Sequence, residues 1–424
     1  MRINRVFSSR LPIFFCCRLL VFICFTNSIS AEVWIARESW NPQWENRYSD
    51  WLEIEVRPDF LRPTGLRVDC ADLVYAFRAV FARTHGLPFM ASSAEGKRYG
   101  HFSHHWDRFP THENWKQDRR FCTFLNDLFK NIVSTRSLHH DTYPVALNPE
   151  SICPGLLVYE DLIAAHVAMV GQIRSDTNLP VTFYESFIPG FEEFTVSGKT
   201  EVHLYGPTIA QTHSGIVAWK WPVESAGEWR YVPETEMPHF SEEQYADDFS
   251  YRSRTTALLN RLAWEKLHGK PFIEDQIVEE YVRYLIVYFA DRALRILRAE
   301  QLMAKHGDHS LPDYFDAQCA TQNTDAWITR LLEKTWFSLH GFDIPRASFL
   351  QKLNGHTILI SSYYPYVSLD VLLEAFDGGK CSGDLRRPFY HRWGILVEEE
   401  KKPVMITSAG SFTTHLAEGE RKSR

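Results

Sequence analysis

The sequence predicts an α+β protein with a mostly helical C-terminal region, on three observations. Residues 68–86 set Leu73, Val74, Phe77, Val80 and Phe81 on one face at helical spacing. After Pro154-Gly155 come short runs rich in β-formers at 156–159, 164–173, 180–184, 200–205 and 215–221, broken by Asp176-Thr177-Asn178, Pro189-Gly190, Ser197-Gly198 and Pro207. From about residue 241 the texture turns helical again, at 256–268, 273–306 and 325–339. Short strand runs at close spacing suit a twisted antiparallel sheet. At 424 residues, 45% apolar and 23% charged, the chain can bury a sizeable core.

The first 31 residues differ from the rest. They carry Arg2, Arg5, Arg10 and Arg18 with no acid, an apolar run over 19–25, and the small-residue end Ser28-Ile29-Ser30-Ala31. This is the pattern of a secretory signal peptide cut after Ala31, and it implies a periplasmic or extracellular setting. Loss of four arginines makes a chain of net charge −7 more acidic still. Nucleic acid and anionic membrane surfaces are then repelled on average, and no basic stripe offers them a footing. Beyond the signal no run of 18 apolar residues offers a membrane span.

Eight cysteines fall to Cys70, Cys122, Cys153, Cys319 and Cys381 once the signal is removed. An odd number in an exported protein leaves a thiol unpaired or paired between chains. Cys122 with Cys153 and Cys319 with Cys381 is one pairing that leaves Cys70 free, although sequence does not fix connectivity.

Taken in order, residues 32–62 are rich in tryptophan (Trp34, Trp40, Trp44, Trp51) with little periodicity, and read as an irregular opening segment across the core. In the helix that follows, Asp69 is placed to cap, Asp72 stands three residues on, and Gly86 can close the C-terminus. Residues 87–150 are polar and aromatic, with a helix expected at 121–133, and resemble an insertion. The span 273–306 is a long amphipathic helix with acids early and arginines late. The tail over 358–406 returns to strand-like and turn-like composition, and 415–424 reads as disordered.

Cys70 stands at the first turn of an amphipathic helix, where unsatisfied backbone N–H groups favour thiolate over thiol. A buried structural cysteine is the commoner fate of such a residue, and Asp69 and Asp72 would oppose the thiolate if they faced it. About a hundred residues on, His166 opens an apolar strand after Pro154-Gly155-Leu156-Leu157-Val158. An imidazole on a rigid strand can take the thiol proton and return it to a leaving group, provided a third polar residue fixes its orientation.

Asp69-Cys70-Ala71-Asp72-Leu73-Val74, then Pro154-Gly155-Leu156-Leu157-Val158, then His166-Val167-Ala168 resemble, in order and spacing, the motifs of the NlpC/P60-like branch of the papain-like cysteine peptidases. The resemblance spans about residues 60–190. Leu156 departs from the family's aspartate, Ala168 from its glycine, and 87–150 lengthens the connection. The resemblance implies a Cys-bearing helix packed on an antiparallel sheet, with Cys70 as nucleophile, His166 as base, and Glu185 where the family presents its third residue. Ser186 and Tyr184 are the alternatives for that place, and His213 is the alternative base. Together with the texture of the rest of the chain, the expected organisation is a signal at 1–31, a catalytic domain at 32–240, a mainly helical domain with short strands at 241–414 and a tail at 415–424. The implied substrate is a peptide, with peptidoglycan stem peptides as the class, cut without metal or cofactor. An inactive envelope or secreted binding protein on the same scaffold is the competing expectation.

Two histidine pairs, His104-His105 and His139-His140, look like metal ligands, but adjacent residues of a strand point to opposite faces. No paired-ligand spacing accompanies them. The chain has neither a phosphate loop nor a Gly-x-Ser-x-Gly elbow.

Overall fold

The computed structural model describes residues 32–160, 166–176, 178–186, 195–197, 215–246, 255–307, 315–358, 366–385, 387 and 389–394. The signal segment, the strand run at 200–205, His213 and the tail at 415–424 lie outside the described residues.

The opening segment is more ordered than its composition suggests. Asn41 accepts a hydrogen bond from the Trp44 N–H at 3.0 Å and Pro42 takes the first helical position, so α1 (Pro42–Ile54) starts there. Its fully buried side chains are Tyr48 and Leu52. The inward face is mostly aromatic, which hides a helix from an aliphatic periodicity count.

Helix α2 (Cys70–His85) follows the sequence expectation at both ends. The Asp72 N–H donates to Asp69 Oδ1 at 2.9 Å, the Asp69 N–H donates to Asp72 Oδ2 at 3.1 Å, and Gly86 closes the helix at φ 67°. Residues 87–150 then form the hairpin β1 (Met90–Ser92) and β2 (Arg98–Gly100), the helices α3 (Arg119–Asn131) and α4 (Leu138–Asp141), and β3 (Thr142–Pro144). This stretch is integral to the domain. Phe121, Phe124, Leu125 and Leu128 of α3 share one core with α2, and β3 is an edge strand of the main sheet.

The remaining strands of that sheet are β4 (Leu157–Glu160), β5 (His166–Ile173), β6 (Val181–Glu185), β7 (Thr195–Ser197) and β8 (Gly215–Trp219). The order is β3-β8-β4-β5-β6-β7, with every neighbouring pair antiparallel. A small hairpin, β9 (Pro222–Ser225) and β10 (Glu228–Tyr231), comes next. Alternation along the strands builds two cores. Leu157, Tyr159, Val167, Met169 and Val217 pack with α1 and α2. Val158, Ala168, Val170, Phe183 and Ile216 pack with Leu258, Leu259, Leu262 and Ala263 of α5 (Thr255–His268). The sequence texture groups α5 with the helical region, yet its apolar face lies on the back of the sheet.

The helical region comprises α6 (Glu274–His306), α7 (Phe315–Cys319), α8 (Gln322–Gly341), α9 (Arg346–Asn354), the short pair β11 (Thr357–Ile358) and β12 (Val367–Ser368), α10 (Leu369–Asp377) and α11 (Phe389–Arg392). Val282, Leu285, Phe289, Ile328, Leu332, Phe349, Leu372 and Trp393 form its centre. Helix α10 corrects the strand-like expectation for the tail. Leu369, Leu372 and Leu373 recur at helical spacing and are all buried. The two halves are joined through Asn260, which accepts from the Val181 N–H at 3.3 Å and donates to the Gly341 carbonyl at 2.9 Å. Among the described residues no helix is long and apolar enough to cross a membrane.

The expected disulfides do not form: Cys70, Cys122, Cys153, Cys319 and Cys381 each carry a free thiol. Cys122 sits against the Trp115 carbonyl at 3.4 Å and Cys381 against the Trp393 carbonyl at 3.5 Å, so fold contacts rather than cross-links hold them.

The register of β5 on β6 shifts between Val170 and Gln172. Gly171 occupies the bulge, and a Cβ there would lie 2.5 Å from the Tyr184 ring, whose hydroxyl donates to the Leu52 carbonyl at 2.9 Å. Gly171→Ala is expected to destabilise the protein by about 1–3 kcal/mol, read as a lowered urea midpoint.

Candidate active site

Strands β5 and β6 run antiparallel with Met169 opposite Tyr184. The first residue of β5, His166, and the last of β6, Glu185, therefore reach the same end of the sheet. The His166 Nε2–H donates to Glu185 Oε1 at 3.3 Å. The next residue, Ser186, donates its hydroxyl to the Val68 carbonyl at 2.8 Å, two residues ahead of Cys70. That bond, with the packing of α2 across β5, brings the N-terminus of the Cys70 helix to the same end.

Cys70 completes the group, close enough to His166 for its sulfur to act on the imidazole. Burial by itself pushes the imidazole toward the neutral form. The interaction with Cys70, the hydrogen bond to Glu185, and the attraction of both for a positive ring outweigh burial and hold His166 up at about 9. The ring thus keeps its proton at neutral pH. The Glu185 side chain is only 3% exposed, against 18% for His166, so the carboxylate braces the ring from inside while an edge of the ring meets solvent.

Of the two acids beside Cys70, Asp72 does not oppose it as the sequence alone allows. Both are engaged in the capping box, and burial together with the charge of Asp69 pushes the Asp72 carboxyl up to about 8. A neutral Asp72 adds no negative charge next to the thiol. Ahead of the capped positions, the Cys70 and Ala71 N–H groups precede the intrahelical ladder, as the first N–H groups of any helix do.

Cys70, His166 and Glu185 are therefore brought together, with Ser186 as a tether and Tyr184 turned to the α1 side of the sheet. Leu156 and Ala168, the two departures from the family motif, are buried in the core that α5 builds on the sheet's back. An apolar residue at 156 is what that packing requires. His139 and His140 lie on helix α4 rather than on a strand, with ring centroids 3.8 Å apart, and reach the Arg136 and Ala94 carbonyls. Among the described residues no group of three or more His, Cys, Asp or Glu could hold a metal ion.

Glu185→Gln, which keeps the size and removes the charge, is expected to lower the His166 titration from about 9 toward the ordinary histidine value of about 6.5, read by NMR of the ring protons. His166→Ala is expected to slow alkylation of Cys70 at neutral pH by about ten-fold or more, because the neighbouring positive charge that favours thiolate is lost. Mass mapping of the labelled thiol checks that outcome.

No protein-family model matches this chain, and neither a curated protein nor a solved structure matches it.

Proposed function

We propose that the protein is an exported cysteine hydrolase that cleaves an amide bond by a Cys-His-Glu mechanism, with peptidoglycan stem peptides as its substrate class. The observation that carries this reading is the His166–Glu185 hydrogen bond at the sheet end where the Cys70 helix begins, with the imidazole, acted on by both Cys70 and Glu185, held protonated at neutral pH. The resemblance of residues 60–190 to the NlpC/P60-like peptidases supplies the family, the papain-like form of the α+β core and the substrate class. The N-terminal signal supplies the setting.

In this mechanism the thiol proton already sits on His166, and the Cys70 sulfur of that ion pair adds to the carbonyl carbon. The oxyanion is met by the N–H groups that begin α2. His166 delivers its proton to the leaving amine as the C–N bond breaks, which leaves a thioester on Cys70. Water then gives a proton to His166 and adds to the thioester, and the acid departs as the C–S bond breaks and the pair of Cys70 sulfur and protonated His166 is restored. Glu185 keeps the ring oriented through both proton transfers.

The test is turnover of purified peptidoglycan fragments and of synthetic stem peptides, followed by new amine and new carboxylate in equal amounts. Cys70→Ala is expected to abolish cleavage, and His166→Ala to lower it by about 100-fold to 10,000-fold. Activity should fall on the alkaline side near pH 9, where the imidazolium loses the proton that the leaving amine needs, and Glu185→Gln should move that limb to lower pH. Tight binding of these fragments without cleavage, in a protein whose Cys70 still alkylates readily, would overturn the hydrolase reading in favour of a binding protein.

A further inference from the structure

Helix α6 is 33 residues long and faces the core with Val278, Val282, Leu285, Phe289, Ala293 and Ile296. Directly opposite, at alternating spacings of four and three, stand Glu280, Tyr284, Val287, Asp291, Leu294 and Arg298. Tyr284 is 49% exposed, Val287 64% and Leu294 55%. A strip with this spacing has the form of the seam of a two-stranded coiled coil, and Tyr284, Val287 and Leu294 of it stay open to solvent.

The strip is also complementary to itself in reverse. Read backwards about Phe289, Glu280 falls against Arg298, Tyr284 against Leu294 and Val287 against Asp291. Two copies of α6 laid antiparallel across a twofold axis therefore place opposite charges at both ends and an apolar layer inside each. A parallel pairing in register would set Glu280 on Glu280 and Arg298 on Arg298. The central acid is already satisfied within its own chain. Asp291 accepts from Arg295 Nε at 2.9 Å and from the Thr324 hydroxyl at 2.6 Å, so facing Val287 strands no charge.

We infer that the outer face of α6 is a homodimer interface, closed by antiparallel α6–α6 pairing with Glu280–Arg298 contacts at each end. Twofold pairing through one self-complementary patch is the commonest way a soluble chain associates. This interface is independent of the Cys70 site.

Sedimentation equilibrium of the secreted full-length protein tests it, because all the substitutions lie at exposed positions and circular dichroism can confirm that each variant is folded. The wild type should form a concentration-dependent dimer. Glu280→Arg alone and Arg298→Glu alone should each raise the dimer Kd by about ten-fold or more, and the two combined in one chain should bring it back to within about three-fold of wild type. The pair Val287→Glu with Leu294→Glu should leave only monomer. A wild type that stays monomeric at about 100 μM, a dimer indifferent to these substitutions, or a double charge reversal that fails to regain affinity would each overturn the inference.

Discussion

Helix α2 is buried along most of its length, including the guanidinium of Arg78, and that burial sets a condition which the N-terminal half must meet. A buried cation requires a partner. Glu45 of α1 supplies it in a two-pronged contact at 2.8 and 2.5 Å, and the Trp40 ring covers the guanidinium face 3.3 Å away. Glu45 also accepts from Trp221 Nε1 at 2.6 Å, just past β8. One charge thus fixes α1, α2 and the end of the central sheet relative to one another. With α1 so placed, Tyr48 packs on Gly155, where φ is 97° and a Cβ would lie only 2.9 Å from the ring. The chain enters β4 from that point.

A second buried charge steadies the middle of α2. Asp141 accepts from the hydroxyls of Tyr75 at 2.5 Å and Tyr231 at 2.8 Å and from the Ser92 N–H at 2.8 Å. Burial pushes its carboxyl above the usual range, and the donors partly restore it. These contacts leave α2 little freedom to slide or rotate. Its first turn stays at the sheet end where β5 begins and β6 stops. A thiol, an imidazole and a carboxylate meet there because three rigid elements end at one place, the arrangement that keeps a hydrogen-bonded site in register.

Parts of this arrangement are legible in the residues. The capping box of Asp69 and Asp72, the Gly86 stop and the apolar face of α2 are local features, and they form as read. The strands holding His166 and Glu185, and the helices α5, α6 and α8, also follow their periodicity. Helix α1 was hidden because its inward face is built of Tyr48, Trp44 and Trp51, and its burial depends on a partner helix rather than on its own pattern. Residues 87–150 looked like an insertion because their periods are short. Phe121, Phe124 and Leu128 acquire a role only when α2 lies beside them. The proposed disulfides followed from counting cysteines, and counting carries no distance.

By itself the sequence determined the local chemistry: which residue caps the Cys70 helix, which residue opens the histidine strand, and that an acid stands at the end of the next strand. Each depends on neighbours a few positions away, where backbone geometry leaves little choice. Tertiary structure alone decided that these groups meet, that Asp72 is buried and held neutral near pH 7 rather than repelling the thiol, and that α5 covers the back of the sheet so that Leu156 belongs there. Those outcomes depend on burial and on the approach of segments about a hundred residues apart, which packing sets and local pattern does not encode.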